Sequence, residues 1–248
     1  EEEKEYLYKV DEEMSSIVPL DDKKKFKGIL LTFDDVPTEN TPQLLAKLDE
    51  VNAKAVFFIN TDQLENPQSR EIVEQIDEAG HMLGNGGKPG LSRFYIDQQK
   101  DYIVEVSRLI RNISGSYPIL FRPAWADYTY ETVELIHGFG MDLVTWGYCY
   151  DASPEYQYAS GLVNISLNTS LLNPGVIVLM HPYAWTIEAI PEMVEGYRNL
   201  GYEIIDPHAI IPRNHDELDG ETNGSRGPNE EGEPYYEPED NIPAAGHS

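Results

Sequence analysis

Asp34 and Asp35 stand out as residues able to do chemistry. They lie in Thr32-Phe33-Asp34-Asp35-Val36-Pro37, directly after the apolar run Gly28-Ile29-Leu30-Leu31. Two adjacent carboxylates at the end of a buried strand are costly to desolvate unless a metal ion, an arginine or a shared proton neutralises them. The plainer alternative is a strand followed by a turn, with Asp35 capping a helix that starts near Thr41.

Elements around the pair must position it. Short apolar runs rich in Val, Ile and Phe at 28–32, 55–60, 81–84, 118–122, 143–149, 176–181 and 202–205 read as strands. Helical spacing of apolar residues falls at 42–51, 67–79, 96–113, 130–139 and 191–200, most of these segments running into a glycine. Such alternation predicts an α/β fold with a parallel sheet of about seven strands. In barrels of this class the C-terminal strand ends carry the chemistry. Residues 1–26 read as an extension wrapping the outside, 27–213 as the folded domain, and 214–248 as an acidic tail too poor in aliphatic side chains to stay ordered.

Composition narrows the function. A net charge of −26 argues against nucleic acid and against anionic membrane surfaces. No apolar run approaches the roughly 18 residues of a membrane span. The opening Glu1-Glu2-Glu3-Lys4 is no secretory leader. Cys149 is the only cysteine, so no internal disulfide forms, and it reads as an inert buried thiol. Four acceptor sequons, at Asn112, Asn164, Asn168 and Asn223, lean towards a secreted glycoprotein.

Taken together, the strand-end sequences resemble the polysaccharide deacetylases of the NodB-homology group, carbohydrate esterase family 4. The family's Thr-Phe-Asp-Asp-Gly-Pro is similar to Thr32–Pro37, its Arg-Pro-Pro-Tyr to Arg122-Pro123-Ala124-Trp125, and its Leu-x-His to Leu179-Met180-His181. The phrase leading into its second motif stands here as Gly80-His81-Met82-Leu83-Gly84-Asn85. The resemblance implies a distorted (β/α) barrel that removes an acetyl group from N-acetylglucosamine units with a divalent metal, usually zinc. It makes Asp34 the general base, Asp35 a metal ligand, Arg122 the residue orienting the base and His181 the general acid. Trp125, Tyr148, Tyr183 and Leu179 line the sugar groove in this reading, and chitin or another N-acetylglucosamine polymer is the partner. It also places the protein outside the cell, in association with a cell wall or spore wall.

Departures from the pattern are as informative. The family's metal-binding His-x-x-x-His falls on Gly86 and Gly90. Glycine offers no side-chain ligand, and Asp35 alone cannot hold zinc. No cofactor is therefore expected, and zinc-dependent activity is expected to be lost or strongly reduced. The alternative function is a non-catalytic carbohydrate-binding or wall-structural protein on the same scaffold; a fully active deacetylase is the other possibility. The Asp that the family carries after the Trp of its fourth motif falls on Cys149, and Asp151 takes that place only if the register slips by two.

Overall fold

The computed structural model describes residues 8–11, 16–19, 27–209 and 227–234. Its strands are β1 (Tyr8–Asp11), β2 (Ser16–Pro19), β3 (Gly28–Val36), β4 (Val56–Asn60), β5 (Met82–Gly87), β6 (Leu120–Phe121), β7 (Asp142–Leu143), β8 (Val176–Met180) and β9 (Glu203–Ile204). They form one sheet in the order β1-β2-β7-β6-β5-β4-β3-β8, with β9 beside β3. Only β1 and β2 pair antiparallel; the other strand pairs run parallel. Beyond β7 the chain crosses to β8: the Gly147 N–H donates to the Ile177 carbonyl at 2.8 Å, and the Leu179 N–H to the Tyr148 carbonyl at 3.1 Å. That contact draws the sheet round into a distorted barrel, the predicted architecture.

Strand β3 explains how one apolar run serves two faces. Side chains alternate along a strand. Ile29, Leu31 and Phe33 pack outward with Leu44 and Leu48 of α1 (Thr41–Glu50), and with Ile190 and Val194 of α6 (Ala184–Asn199). Leu30 turns inward with Val56, Phe58, Leu120 and Ile177. Thr32 and Asp34 continue that inward row, so the interior of the barrel is apolar at one end and polar at the other. The helices α2 (Ser69–Glu78) and α3 (Ile96–Ser114) cover the neighbouring strands, and α4 (Tyr130–Gly138) encloses a further cluster with Phe121 and Leu143.

Four stretches differ from the sequence reading. The strand expected at 143–149 is regular only through Leu143. Arg122 explains the break: its Nε donates to the Val144 carbonyl and its Nη2 to the Thr145 carbonyl, both at 3.1 Å, taking acceptors a ladder would use. The last helix begins at Ala184 rather than 191 and holds Pro191 in its interior. A short helix, α5 (Ala159–Ser166), was not expected at all. In the predicted extension, β1 and β2 join the sheet beside β7 and bury Tyr8 and Ile17 in the inner core.

Residues 227–234 of the predicted tail lie against α3. The Gly227 N–H donates to the Phe139 carbonyl at 2.9 Å, Arg108 donates to the Asn229 and Glu230 carbonyls, and Lys100 pairs with Glu233 at 2.7 Å. A basic helix face gives this acidic segment a seat that its own composition lacks. The sequons at Asn112, Asn164 and Asn168 are on exposed residues, and Asn223 lies outside the described residues. No helix among the described residues is long and apolar enough to cross a membrane.

Candidate active site

Two bulges build the polar end of the barrel. Between Phe33 and Val36 the register of β3 slips against β4, so Asp34 and Asp35 face a single step of the partner strand. Asp35 takes a left-handed backbone with φ 55°, a conformation that short Asp and Asn side chains tolerate best after glycine. The second slip lies between β4 and β5, where Asn60 pairs with Gly87 and Gly86 is the extra residue. Bulges of this kind re-aim side chains beside active sites.

Asp34 ends the inward row and is 7% exposed. Arg122, 1% exposed, enters from the end of β6. Its Nη1 donates to Asp34 Oδ1 at 3.1 Å and to Thr32 Oγ1 at 2.6 Å, while its plane lies over the Phe58 ring at 4.4 Å. With the Val144 and Thr145 carbonyls, every nitrogen of the guanidinium is engaged, as a buried cation requires. Burial pushes the Asp34 carboxyl above its ordinary range, and the charges of Arg122 and His181 pull against that shift. Burial likewise lowers Arg122, against the pull of Asp34. The result is a carboxyl more basic than an exposed one, with Arg122 and His181 favouring its charged form.

A second constellation forms around Asp151, which is fully buried. Asp151 Oδ2 accepts from the His181 N–H at 2.6 Å and from the Thr186 hydroxyl at 2.9 Å. Oδ1 lies 3.0 Å from His181 Nδ1 and 3.5 Å from Cys149 Sγ. The Asp151 carbonyl accepts from Trp185 Nε1 at 2.8 Å. Burial alone would depress the His181 imidazole, but its hydrogen bond and charge pairing with Asp151, reinforced by Cys149, raise it to about 10. The ring therefore carries a proton at neutral pH, the form a general acid needs. The slipped register is the one the protein adopts: Asp151, not position 149, holds His181. Cys149 is half-buried and sits within this cluster rather than being sealed in the core.

Placement of the remaining candidates is uneven. Tyr183 stacks on His181 with ring centres 5.1 Å apart, and Trp185 stacks on Tyr183 at 4.8 Å. Trp125 is 73% exposed on a left-handed backbone, φ 61°, just beyond Arg122. Leu179, next to Thr32 in register, is buried one step inside His181 on the same face. Tyr148 does not belong with them: it lies in the outer core with its hydroxyl 2.6 Å from that of Tyr197. A residue type cannot reveal on which side of a strand it packs, and Tyr148 follows the irregular stretch where alternation fails.

Where the resemblance places a metal, at Asp35 with positions 86 and 90, the residues present do not fit zinc. Asp35 Oδ1 accepts from Asn60 Nδ2 at 3.2 Å. A Cβ at Gly86 would stand 2.8 Å from the Ile59 carbonyl oxygen and 3.2 Å from that of Phe58, so the space of a ligand side chain is filled by the backbone of β4. Gly90 has φ 74° and opens the single 3-10 turn Leu91–Arg93. Lys88 pairs with Asp62 at 2.5 Å and lies over the Tyr102 ring at 5.1 Å. The phrase at 80–85 proves structural: His81 Nδ1 accepts the Ala55 N–H at 3.2 Å, and Asn85 Nδ2 binds the Ile103 carbonyl and Ser107 of α3.

A barrel with a buried Asp–Arg pair and an Asp–His pair at its polar end defines a class that comparison makes specific. The polysaccharide deacetylase family model matches residues 21–144, half of the 248-residue chain, and the chain belongs to that family. A peptidoglycan-N-acetylglucosamine deacetylase of Bacillus cereus is 28% identical over 163 residues, 62% of this chain and 55% of that protein. Chitin deacetylase 1 of Saccharomyces cerevisiae is 30% identical over 135 residues, 52% of this chain and 42% of the yeast protein. The chain thus spans about half the length of these relatives. Among solved structures, a peptidoglycan N-acetylglucosamine deacetylase superposes with a TM-score of 0.67 at 22% identity, covering 75% of this chain and 89% of that one. A CE4 family pseudoenzyme from Bacillus anthracis gives 0.65 at 23%, covering 73% and 63%. A mutant of it with restored enzymatic activity gives 0.66 at 25%, covering 73% and 65%.

Proposed function

We propose that this chain binds N-acetylglucosamine polymers in a deacetylase groove while having lost, or nearly lost, zinc-dependent deacetylation. The observation that carries the reading is Gly86. At one of the family's two His positions there is neither a ligand side chain nor room for one beside the Ile59 carbonyl. Gly90 offers no side chain either. Without the ion, the activated water and the Lewis acid are missing together, several kcal/mol of barrier. Asp34, held by Arg122, and His181, held by Asp151, remain at the polar end of the barrel, with Tyr183 and Trp185 stacked in series from His181 and Trp125 exposed just past Arg122 in the chain. The Asp34 carboxyl, the His181 ring and the aromatic rings are the groups that would hydrogen-bond and stack with an acetamido sugar.

That a pseudoenzyme of the same family exists, and that a mutant of it has restored activity, supports loss of function on an intact scaffold. Chitin is favoured over peptidoglycan by the exposed sequons, which suit a secreted protein at a cell wall or spore wall. The test pairs calorimetric binding of a chito-oligosaccharide with acetate release in the presence of zinc. Binding with acetate release no greater than that of Asp34→Ala supports the reading; turnover that Asp34→Ala abolishes refutes it.

A further inference from the structure

Cys149, Asp151 and His181 bring three chemically different donors together. A sulfur, a carboxylate oxygen and an imidazole nitrogen lie within 4.8 Å of one another, and no other such trio of His, Cys, Asp and Glu occurs among the described residues. The pairing of His181 with Asp151 suffices to hold an acid in place. Nothing in that role calls for a thiol 3.5 Å from the same carboxylate oxygen.

Two of the separations in the cluster are near those around a tetrahedral ion, and the third is within 4.8 Å. With zinc–sulfur bonds of about 2.3 Å and zinc–nitrogen or zinc–oxygen bonds of about 2.0 to 2.1 Å, neighbouring donors stand about 3.3 Å apart for nitrogen and oxygen and about 3.6 Å for sulfur and oxygen. The observed separations are 3.0 Å and 3.5 Å. Asp151 is also arranged as a ligand binding through one oxygen. Its Oδ2 is occupied by the His181 N–H and the Thr186 hydroxyl, and its Oδ1 is the atom facing both other donors. Hydrogen bonds on the far oxygen of a ligating carboxylate are the usual support of such sites. Asp151 is buried, whereas Cys149 and His181 are only partly so, which puts the cluster near the surface rather than deep in the core.

We propose that Cys149, Asp151 and His181 form a three-donor site for a thiolate-accepting divalent cation of the zinc and cobalt class, separate from the family's Asp35 position. A sulfur donor disfavours calcium and magnesium, which take oxygen. Binding releases the thiol proton and removes any proton from His181 Nδ1, the ring keeping its proton on Nε2. An ion here therefore replaces the Asp151–His181 hydrogen bond and withdraws His181 from acid duty. The site stands independently of whether the chain deacetylates sugars.

Cobalt titration of the whole chain, purified without chelators, tests this. A thiolate-to-cobalt charge-transfer band in the near ultraviolet should grow to about one equivalent of metal, confirmed by elemental analysis. Cys149→Ser should abolish the band. Thr186→Val should weaken cobalt about 10- to 100-fold while leaving the sulfur donor in place. Asp35→Ala should change neither band nor affinity, and circular dichroism checks that each variant is folded. Absence of the band in the wild type, or metal binding lost in Asp35→Ala but kept in Cys149→Ser, overturns the proposal.

Discussion

Restoring histidines at positions 86 and 90 is the obvious repair, and the structure says it should fail through the backbone. At Gly86 the obstruction is the Cβ itself, 2.8 Å from the Ile59 carbonyl oxygen and 3.1 Å from its carbon. Those atoms belong to β4 in the middle of the sheet and cannot swing aside as a side chain would. Forcing in one carbon costs about 1–3 kcal/mol of overpacking. At Gly90 a Cβ meets only the Arg93 side chain at 3.6 Å, but the backbone there has φ 74°. A residue with a Cβ pays about 1–2 kcal/mol in that region. The double variant should therefore lose about 2–5 kcal/mol, which for a domain of this size lowers the melting temperature by roughly 4–20 °C. Thermal unfolding should be followed by circular dichroism for Gly86→Ala, Gly86→His, Gly90→Ala, Gly90→His and the double His variant. Gly86→Ala alone should already show the overpacking cost, and Gly90→Ala the backbone cost. Excess zinc should not restore the double variant, because the shifted strand misplaces the ligand. A Gly86→Ala melt equal to wild type, or a double variant that zinc returns to wild-type stability, would refute the reasoning.

Three further outcomes follow from the same geometry. Arg122→Ala should lower stability by about 3–5 kcal/mol in urea denaturation, since it strands a buried Asp34 and orphans the Val144 and Thr145 carbonyls; a loss under 1 kcal/mol would count against the buried pair. His81 is held down to about 4 by burial, with Lys54 and His208 adding to it. The unfolded chain, titrating near 6.5, takes up the proton first, so this stability is intact above pH 6.5 and falls away as pH drops towards 4, by about 3 kcal/mol. His81→Gln should be less stable at pH 7 yet lose less between pH 7 and 4.5 than wild type; equal losses would remove His81 from the account. Trp125→Ala should weaken chito-oligosaccharide binding at least about five-fold, the scale of an aromatic contact residue, and leave the melting temperature unchanged because the side chain is 73% exposed.

Much of this was legible from residue types and spacing where the chain is regular. Alternation along β3 put Asp34 at the polar end of the barrel, and Arg122 and His181 each end an apolar run of the same parallel sheet, so the meeting of Arg122 with Asp34 could be anticipated. Reading failed where regularity fails. Arg122 draws off the carbonyls of Val144 and Thr145, the strand stops, and counting along 143–149 no longer says which residue faces His181. Counting thus lands on Cys149, and Asp151 enters only through a slip of two residues, which the structure shows. Tyr148 sits past the same break and packs into the core. Gly86 shows the complementary limit. Its lack of a ligand is plain in the sequence, whereas the Ile59 carbonyl occupying that space depends on a bulge between two strands far apart in the chain.

The most direct test of the central claim is zinc-dependent acetate release from a chito-oligosaccharide by the purified chain, measured beside Asp34→Ala. The account expects both proteins to bind metal-independently to the sugar and release acetate at the same background rate. Turnover by the wild type that requires zinc and disappears in Asp34→Ala would contradict it.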